Sequence, residues 1–387
     1  MVTRDDCRAL DAADPLAPIR DRFVIPPGVI YLDGNSLGMM PVGVGEAVAK
    51  VVEQWSTHLI AGWWEDDWLG MPVRIGARLE GLLGAEPGTV ICTDSTSVNL
   101  YKLVTMACSL RPGRILTDHG NFPTDLYILE SVARAQGREL LKVEPEELAG
   151  AITTEVGVVA ATHVDFRTGR RHDLAGVSRR AREVGALTVW DLSHSTGAMP
   201  VDVAAHQVDF AVGCGYKYLN GGPGAPAYLY VSPNHLTTAL NPITGWFAHA
   251  RPFDFSPQFI PAEGIGRLRV GTPDIVAMAA LEAALTVWEG IDLAAVRSKS
   301  EGLTSLFIDL VDQQLAGVRV VTPRRAEERG SQVSLKMGSA RQVMDELARR
   351  GVVGDFRPPD LLRFGLAPLY IRYVDVWDAA ALIGSVG

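Results

Sequence analysis

The stretch VGVVAATHVDFRTGRRHDLAGVSRRAREVGALTVWD, residues 156–191, decides the fold. Its opening, VGVVAATHVDF (156–166), is an apolar run of the kind a strand buried on both faces requires. LAGVSRRAREVG (174–185) has helical spacing and stops at Gly185, and ALTVWD (186–191) is again a short apolar run. Strand, helix and strand in this order make a parallel pair with the helix crossing over one face. The alternation extends both ways. Upstream, TVICTDSTSVNLYKLVTMACSL (89–110) reads as a strand, a Ser/Thr turn and a helix. RILTD (114–118) is a strand, FPTDLYILESVARAQ (122–136) a helix opened after Pro123, and ELLKV (139–143) a strand. Downstream, VDFAVGCG (208–215) and AYLYVS (227–232) add two more. The fold class is α/β, with a mainly parallel sheet covered on both sides.

The flanks are less regular. Residues 4–25 predict one or two short surface helices, with Asp5 and Asp6 at the start and Pro15 and Pro18 beyond. VIYLDGNSLG (29–38) begins as a strand and breaks at Asp33-Gly34-Asn35, either as a plain loop or as backbone that closely approaches a ligand. Residues 45–59 and 72–83 are helical. Between them AGWWEDDWLG (61–70) holds Trp63, Trp64 and Trp68, a cluster that suits a core, a subunit interface or a pocket. Residues 233–272 lack periodicity, and a loop of that length is usually functional. Helices over 273–290 and up to about Leu315 follow. The tail predicts β (317–322), β (332–337), α (340–350), β (351–356), β (361–366) and α (374–385), a smaller α+β domain. The division expected is 1–45 contributing to the small domain, 46–270 as the large domain and 271–387 as the small one.

A formal charge of −9 with no long basic run excludes a nucleic-acid surface. Cys7, Cys92, Cys108 and Cys214 stand far apart, without metal-ligand spacing, and read as reduced thiols of a cytoplasmic protein. No metal is expected. The N-terminus lacks the apolar stretch of a signal peptide, and no run approaches the roughly 18 apolar residues of a membrane helix.

Chemistry concentrates in WDLSHSTGAMPVD (190–202) and VGCGYKYLNGGPG (212–224). Asp191 ends an apolar strand, where a carboxylate needs a partner. An N-cap role, a metal shared with His194, or a protonated ring nitrogen would each supply one. The chain has six lysines: Lys50, Lys102, Lys142, Lys217, Lys299 and Lys336. Lys50, Lys102, Lys299 and Lys336 fall in helices or strands, where a solvated lysine is the ordinary reading. Lys217 instead follows a buried strand and precedes Gly221-Gly222-Pro223-Gly224. It is either an ordinary surface lysine on a loop or the amine that forms an imine with an aldehyde cofactor whose basic ring nitrogen pairs with Asp191. Thr96 and Ser97 open a helix, where phosphate binds well and where plain N-capping also selects Ser and Thr.

On these residues the chain resembles the kynureninases, fold-type I pyridoxal 5′-phosphate enzymes of the aminotransferase class V group. The resemblance runs from CRALDAADPLAPIRDRF (7–23) to APLYIRYVDVWDA (367–379), through YLDGNSLG, TSVNLYK, NFPTDLY, FRTG, WDLSHSTGAMPVD, GYKYLNGGPGAPAYLYV, GWFAH and RVGTPDIVAMAALEAAL. It implies a seven-stranded sheet in the large domain, and hydrolytic Cβ–Cγ cleavage of L-kynurenine or 3-hydroxykynurenine in tryptophan catabolism. It implies Lys217 as the Schiff-base lysine, Asp191 against the pyridinium and His194 beside the cofactor. Thr96, Ser97 and Tyr216 would bind the phosphate, Phe122 would stack on the ring, and Asp125 and Thr162 would complete the pocket. Trp246 and Thr272 would reach the neighbouring subunit's cofactor, so a homodimer is implied. Arg363 would clamp the substrate carboxylate, with Ser36 and Trp64 also facing substrate, and Tyr216 would be the proton donor. Two rivals stay open at this point: a cysteine desulfurase or selenocysteine lyase, which needs a mobile loop cysteine, and a non-catalytic cofactor-binding protein.

Overall fold

The computed structural model describes residues 2–386 apart from 239 and 316. α1 (Arg4–Ala12) starts at a capping box: Thr3 Oγ1 accepts from the Asp6 N–H, and the Asp6 carboxylate accepts from the Thr3 N–H. The helix packs on the last helix of the chain, with Arg4 forking onto Asp378 at 2.7 and 2.8 Å. The short helices expected over 4–25 lie on the surface, with most of their residues exposed and one side turned inward. Cys7, Leu16, Ile19 and Phe23 are buried because these turns cover that distant helix. β1 (Ile30–Tyr31) is followed by α2 (Val44–His58), the single turn α3 (Gly62–Glu65) and α4 (Met71–Leu83), with Pro72 in its first turn.

The large sheet holds β2 (Val90–Cys92), β3 (Arg114–Asp118), β4 (Leu140–Val143), β5 (Val156–Thr162), β6 (Leu187–Asp191), β7 (Phe210–Cys214) and β8 (Ala227–Val231), in the order β2-β8-β7-β6-β5-β3-β4. The expected α/β class holds: all strands point one way except β8, antiparallel to both neighbours. α5 (Thr96–Leu110), α6 (Pro123–Ala135) and α7 (Leu174–Val184) cover its faces. The strand period sorts side chains between two cores. Val158, Ala160 and Val189 meet α5 residues Leu103 and Val104 in one. Val159, Ala161 and Trp190 join Val177 and Ala181 of α7 in the other.

Beyond the irregular 233–272, α8 (Ile275–Ala284) packs against α2 and α4 and tightens into a 3₁₀ turn, Leu285–Trp288. α9 (Leu293–Gln314) leads to β9 (Arg319–Val320), β10 (Gln332–Lys336), α10 (Ala340–Arg349), β11 (Val352–Val353), β12 (Asp355–Arg357), β13 (Leu361–Gly365) and α11 (Tyr373–Val386). A four-stranded antiparallel sheet runs β12-β13-β10-β9. The strand expected over 351–356 is two strands: β11 pairs in parallel with β1, and β12 pairs with β13. They part at Gly354, where a Cβ would stand 2.8 Å from the Phe364 ring.

Two lysines correct the solvated reading. Lys299 is 5% exposed, with Nζ 2.6 Å from Asp14 Oδ2, and so ties α9 to the N-terminal segment. Lys102 is fully buried. No helix among the described residues is long and apolar enough to cross a membrane.

Candidate active site

The parallel strands deliver their last residues to one edge of the sheet, where ligands collect in such folds. Asp191 ends β6 and sits in register with Thr162 at the end of β5. Beside them α5 begins, capped by Ser95, whose Oγ accepts from the Val98 N–H at 3.3 Å. α6 begins nearby, with Phe122 just before Pro123. Lys217 lies in the bend after β7. These elements enclose a cavity of about 200 Å³ lined by Thr96, Ser97, Phe122, Asp125, Thr162, Asp191, His194, Tyr216 and Lys217, together with Thr124, Phe166 and Ser193.

Lys217 Nζ is 3.0 Å from His194 Nε2 and 6.0 Å from the centre of the Phe122 ring. Burial, then the neighbouring Lys217 and Arg363, hold the His194 imidazole well below its ordinary basicity, so it is neutral. Its Nδ1 is buried without a hydrogen-bond partner. Asp191 is buried and its Oδ1 accepts from the Ser193 N–H at 2.7 Å. Burial first, and then Asp191, push the Asp125 carboxyl well above its usual range. Burial also raises the Tyr216 hydroxyl, with Cys214 and Asp191 acting in the same direction.

This cavity suits pyridoxal 5′-phosphate. The free N–H groups of the first α5 turn offer a phosphate cradle. At the other end stand the buried Asp191 carboxyl group and the His194 Nδ1, which is buried without a hydrogen-bond partner. A cationic ring nitrogen matches the first of these.

Arg363 and Ser36 lie beside the cavity, outside its lining. Arg363, 2% exposed in β13, donates from Nη1 to the Phe166 carbonyl at 2.7 Å and from Nη2 to Ser36 Oγ at 2.7 Å. Trp64, Trp246 and Thr272 do not reach the cavity within one chain. Trp64 and Trp246 are 55% and 38% exposed and both pack on Phe253, at 5.1 and 5.8 Å between ring centroids, and Thr272 is exposed. The sequence reading assigned no part to Phe166, which meets the Phe122 ring edge-on at 5.0 Å, although it stands in the FRTG motif. It also left out Asp355, a carboxylate on Arg363. The YLDGNSLG segment approaches protein backbone here. The Gly38 N–H donates to the Tyr216 carbonyl at 2.7 Å, and a Cβ on Gly38 would lie 2.2 Å from the Lys217 carbonyl oxygen.

Known proteins resemble the chain along its whole length. The chain is 45% identical to the kynureninase of Pseudomonas fluorescens over 398 aligned residues, covering 100% of this chain and 96% of that one. It is 47% identical to the kynureninase of Deinococcus radiodurans, covering 98% and 95%. The chain belongs to the kynureninase family. A profile of the kynureninase C-terminal domain matches residues 296–383. Among solved structures, a mutant of the cystine C–S lyase C-DES with glycine linked to its PLP cofactor superposes with a TM-score of 0.83 at 20% identity, covering 95% of this chain and 99% of that one. The apo cysteine desulfurase of Thermococcus onnurineus NA1 gives 0.80 at 19%, covering 95% and 97%. At 19–20% identity the C–S lyase and the desulfurase share the fold of this kynureninase-family chain. Its four cysteines are buried and free, unlike the mobile loop cysteine that a desulfurase requires.

Proposed function

We propose that this chain hydrolyses the Cβ–Cγ bond of L-kynurenine, or of 3-hydroxykynurenine, to anthranilate or 3-hydroxyanthranilate and L-alanine, a step of tryptophan catabolism. One observation carries the reading. Lys217, Asp191 and the first turn of α5 line a single cavity in a chain that matches kynureninases along its whole length.

When bound, pyridoxal 5′-phosphate supplies an electron sink for the substrate's α-carbon. Lys217 Nζ is the amine that would hold its aldehyde and, once released, take the α-proton of the substrate. Asp191 would hold the ring nitrogen in its protonated form, with Asp125, whose carboxyl burial pushes up, lining the same cavity. Thr96, Ser97 and Tyr216 would hold the phosphate, Phe122 would stack on the ring, and Thr162 and neutral His194 would close the pocket. Water would attack the γ-carbonyl, the Cβ–Cγ bond would break to release anthranilate, and Tyr216, whose hydroxyl burial keeps protonated, would give a proton to the β-carbon of the alanine unit left behind. Arg363, oriented by Ser36, would hold the α-carboxylate with the fork geometry that suits guanidinium. With 1–45 and 271–387 as the small domain and 46–270 as the large one, the carboxylate would sit across the seam between them. Trp246 and Thr272, which lie outside the cavity of their own chain, would complete the cavity of a second copy in a homodimer, and Trp64 would face the substrate ring.

The test is purified protein with the cofactor and L-kynurenine. Anthranilate fluorescence should rise together with an equal amount of L-alanine. Sulfide release from cysteine without anthranilate would replace this reading with the desulfurase one.

A further inference from the structure

We propose that Lys102 is a positioning residue for the cofactor phosphate, holding in one place the turn beneath that phosphate and the loop that serves a neighbouring subunit. The inference rests on the reading of Thr96 and Ser97 as the phosphate cradle.

Lys102 is fully buried within α5, and its side chain runs back toward the start of the helix. Nζ meets two partners: Asp94 Oδ2 at 2.7 Å and the Leu268 carbonyl at 2.8 Å. A buried ammonium loses its hydration, so it persists only where such partners hold it. Asp94 stands at a positive φ of 51°, a conformation Asp tolerates better than most residues with a Cβ and that its partners fix here. Those partners are Lys102 and Thr93 Oγ1, which donate to its carboxylate, and the Ala227 N–H, which donates to its carbonyl. The next residue is Ser95, the cap of α5. The backbone angles of Asp94 therefore aim the free N–H groups of the first turn.

Leu268, on the other side, closes the 3₁₀ turn Gly264–Leu268. Shortly after it the Val270 carbonyl accepts from the Phe247 N–H at 3.2 Å, beside Trp246, and Thr272 follows. One ammonium thus registers the chain's own phosphate turn against the segment bearing Trp246 and Thr272.

The experiment titrates full-length apoprotein with pyridoxal 5′-phosphate and with pyridoxal, which has the same ring and aldehyde and no phosphate. Lys102→Met should weaken the phosphorylated ligand about tenfold or more while pyridoxal changes less than about threefold, so the preference between them collapses. Asp94→Asn, which keeps the side-chain shape, should shift the preference the same way by a smaller factor, and decides the matter alone if Lys102→Met does not fold. Equal losses for both ligands, or none, in folded variants would make Lys102 merely structural and overturn the proposal. Ser97→Ala separates the two readings. If it lowers the preference and the Lys102 and Asp94 variants do not, only the proposal falls. If none of them lowers it, the phosphate cradle itself is misplaced and the proposal falls with it.

Discussion

Asp355 Oδ2 lies 2.5 Å from Arg363 Nη2, so the guanidinium proposed as the substrate clamp already holds a carboxylate of its own chain. Ser36 bridges the two, accepting from Arg363 Nη2 at 2.7 Å and donating to Asp355 Oδ2 at 3.1 Å, while Arg357 holds Asp355 at 2.7 Å from the other side. A substrate carboxylate has to compete with Asp355 for Arg363, and Arg357 remains to keep Asp355 paired. Two substitutions should therefore move KM in opposite directions. Arg363→Ala removes hydrogen bonds to a charged group worth about 3 kcal/mol and should raise KM for the amino acid roughly a hundredfold. Asp355→Asn removes the competitor and should lower KM severalfold with little change in kcat. Steady-state kinetics on both variants reads the signs. An unchanged KM in Arg363→Ala takes that residue out of the clamp.

The same cluster makes substrate binding depend on pH. Burial pushes the Asp33 carboxyl up to about 6, nearby Asp355 acts in the same direction, and the Ser36 hydrogen bond, with Arg363 and Arg357, acts against them. Below that pH Asp33 is neutral. Above it, a second carboxylate faces Arg363 and weakens the site for an anionic group. KM for the amino acid should therefore rise as pH increases through about 6. Asp33→Asn fixes the neutral state, so KM should stay at its low-pH value and the inflection should vanish. If the inflection persists in the variant, another group titrates there.

Gly38 is the point where the N-terminal loop touches the lysine bend. An added Cβ would fall 2.2 Å from the Lys217 carbonyl oxygen and 2.7 Å from Asn220 Cα, both backbone atoms that cannot swing aside. Gly38→Ala should cost about 3 kcal/mol or more and should impair retention of the cofactor, because the strain falls on Lys217 itself. Gly45→Ala in α2 meets open space and should be neutral or stabilising by about 0.5–1 kcal/mol. Thermal unfolding and cofactor content after dialysis would check the pair. A Gly38→Ala protein as stable and as fully loaded as its parent contradicts the close approach.

What the sequence made legible followed from short-range patterns. The buried parallel strands announced themselves as apolar runs between helices, and the turn after β2 and the bend after β7 fell at strand ends, where ligands bind. The reversal of β8 was readable in principle: residues 215–226 carry no helical pattern, and without a crossover the next strand returns antiparallel. Lys102 and Lys299 were not legible as buried, because their partners, Asp94 and Asp14, are brought to them only by the packed chain. Asp355 was hidden by the break in its strand. With β12 separate from β11, Asp355 stands directly across from Arg363 in the β12–β13 ladder, a register that no periodicity reveals. Trp64, Trp246 and Thr272 entered through resemblance alone, and within one chain they stay away from Lys217.

That separation gives the last prediction. If Trp246 and Thr272 serve the cavity of a second copy, each active site draws Lys217 from one chain and these two residues from the other. A Lys217→Ala protein should be inactive, and a Trp246→Ala/Thr272→Ala protein should bind cofactor poorly. Co-expressed, they should form mixed dimers in which one cavity receives native Lys217, Trp246 and Thr272 and the other receives none of them. Random pairing then restores roughly a quarter of the native sites. Activity per cofactor, measured on mixed dimers isolated through two different affinity tags, should show one fully native site per dimer. Mixed dimers no better than the Trp246→Ala/Thr272→Ala parent would place both residues outside the partner's cavity and leave each chain's site complete on its own.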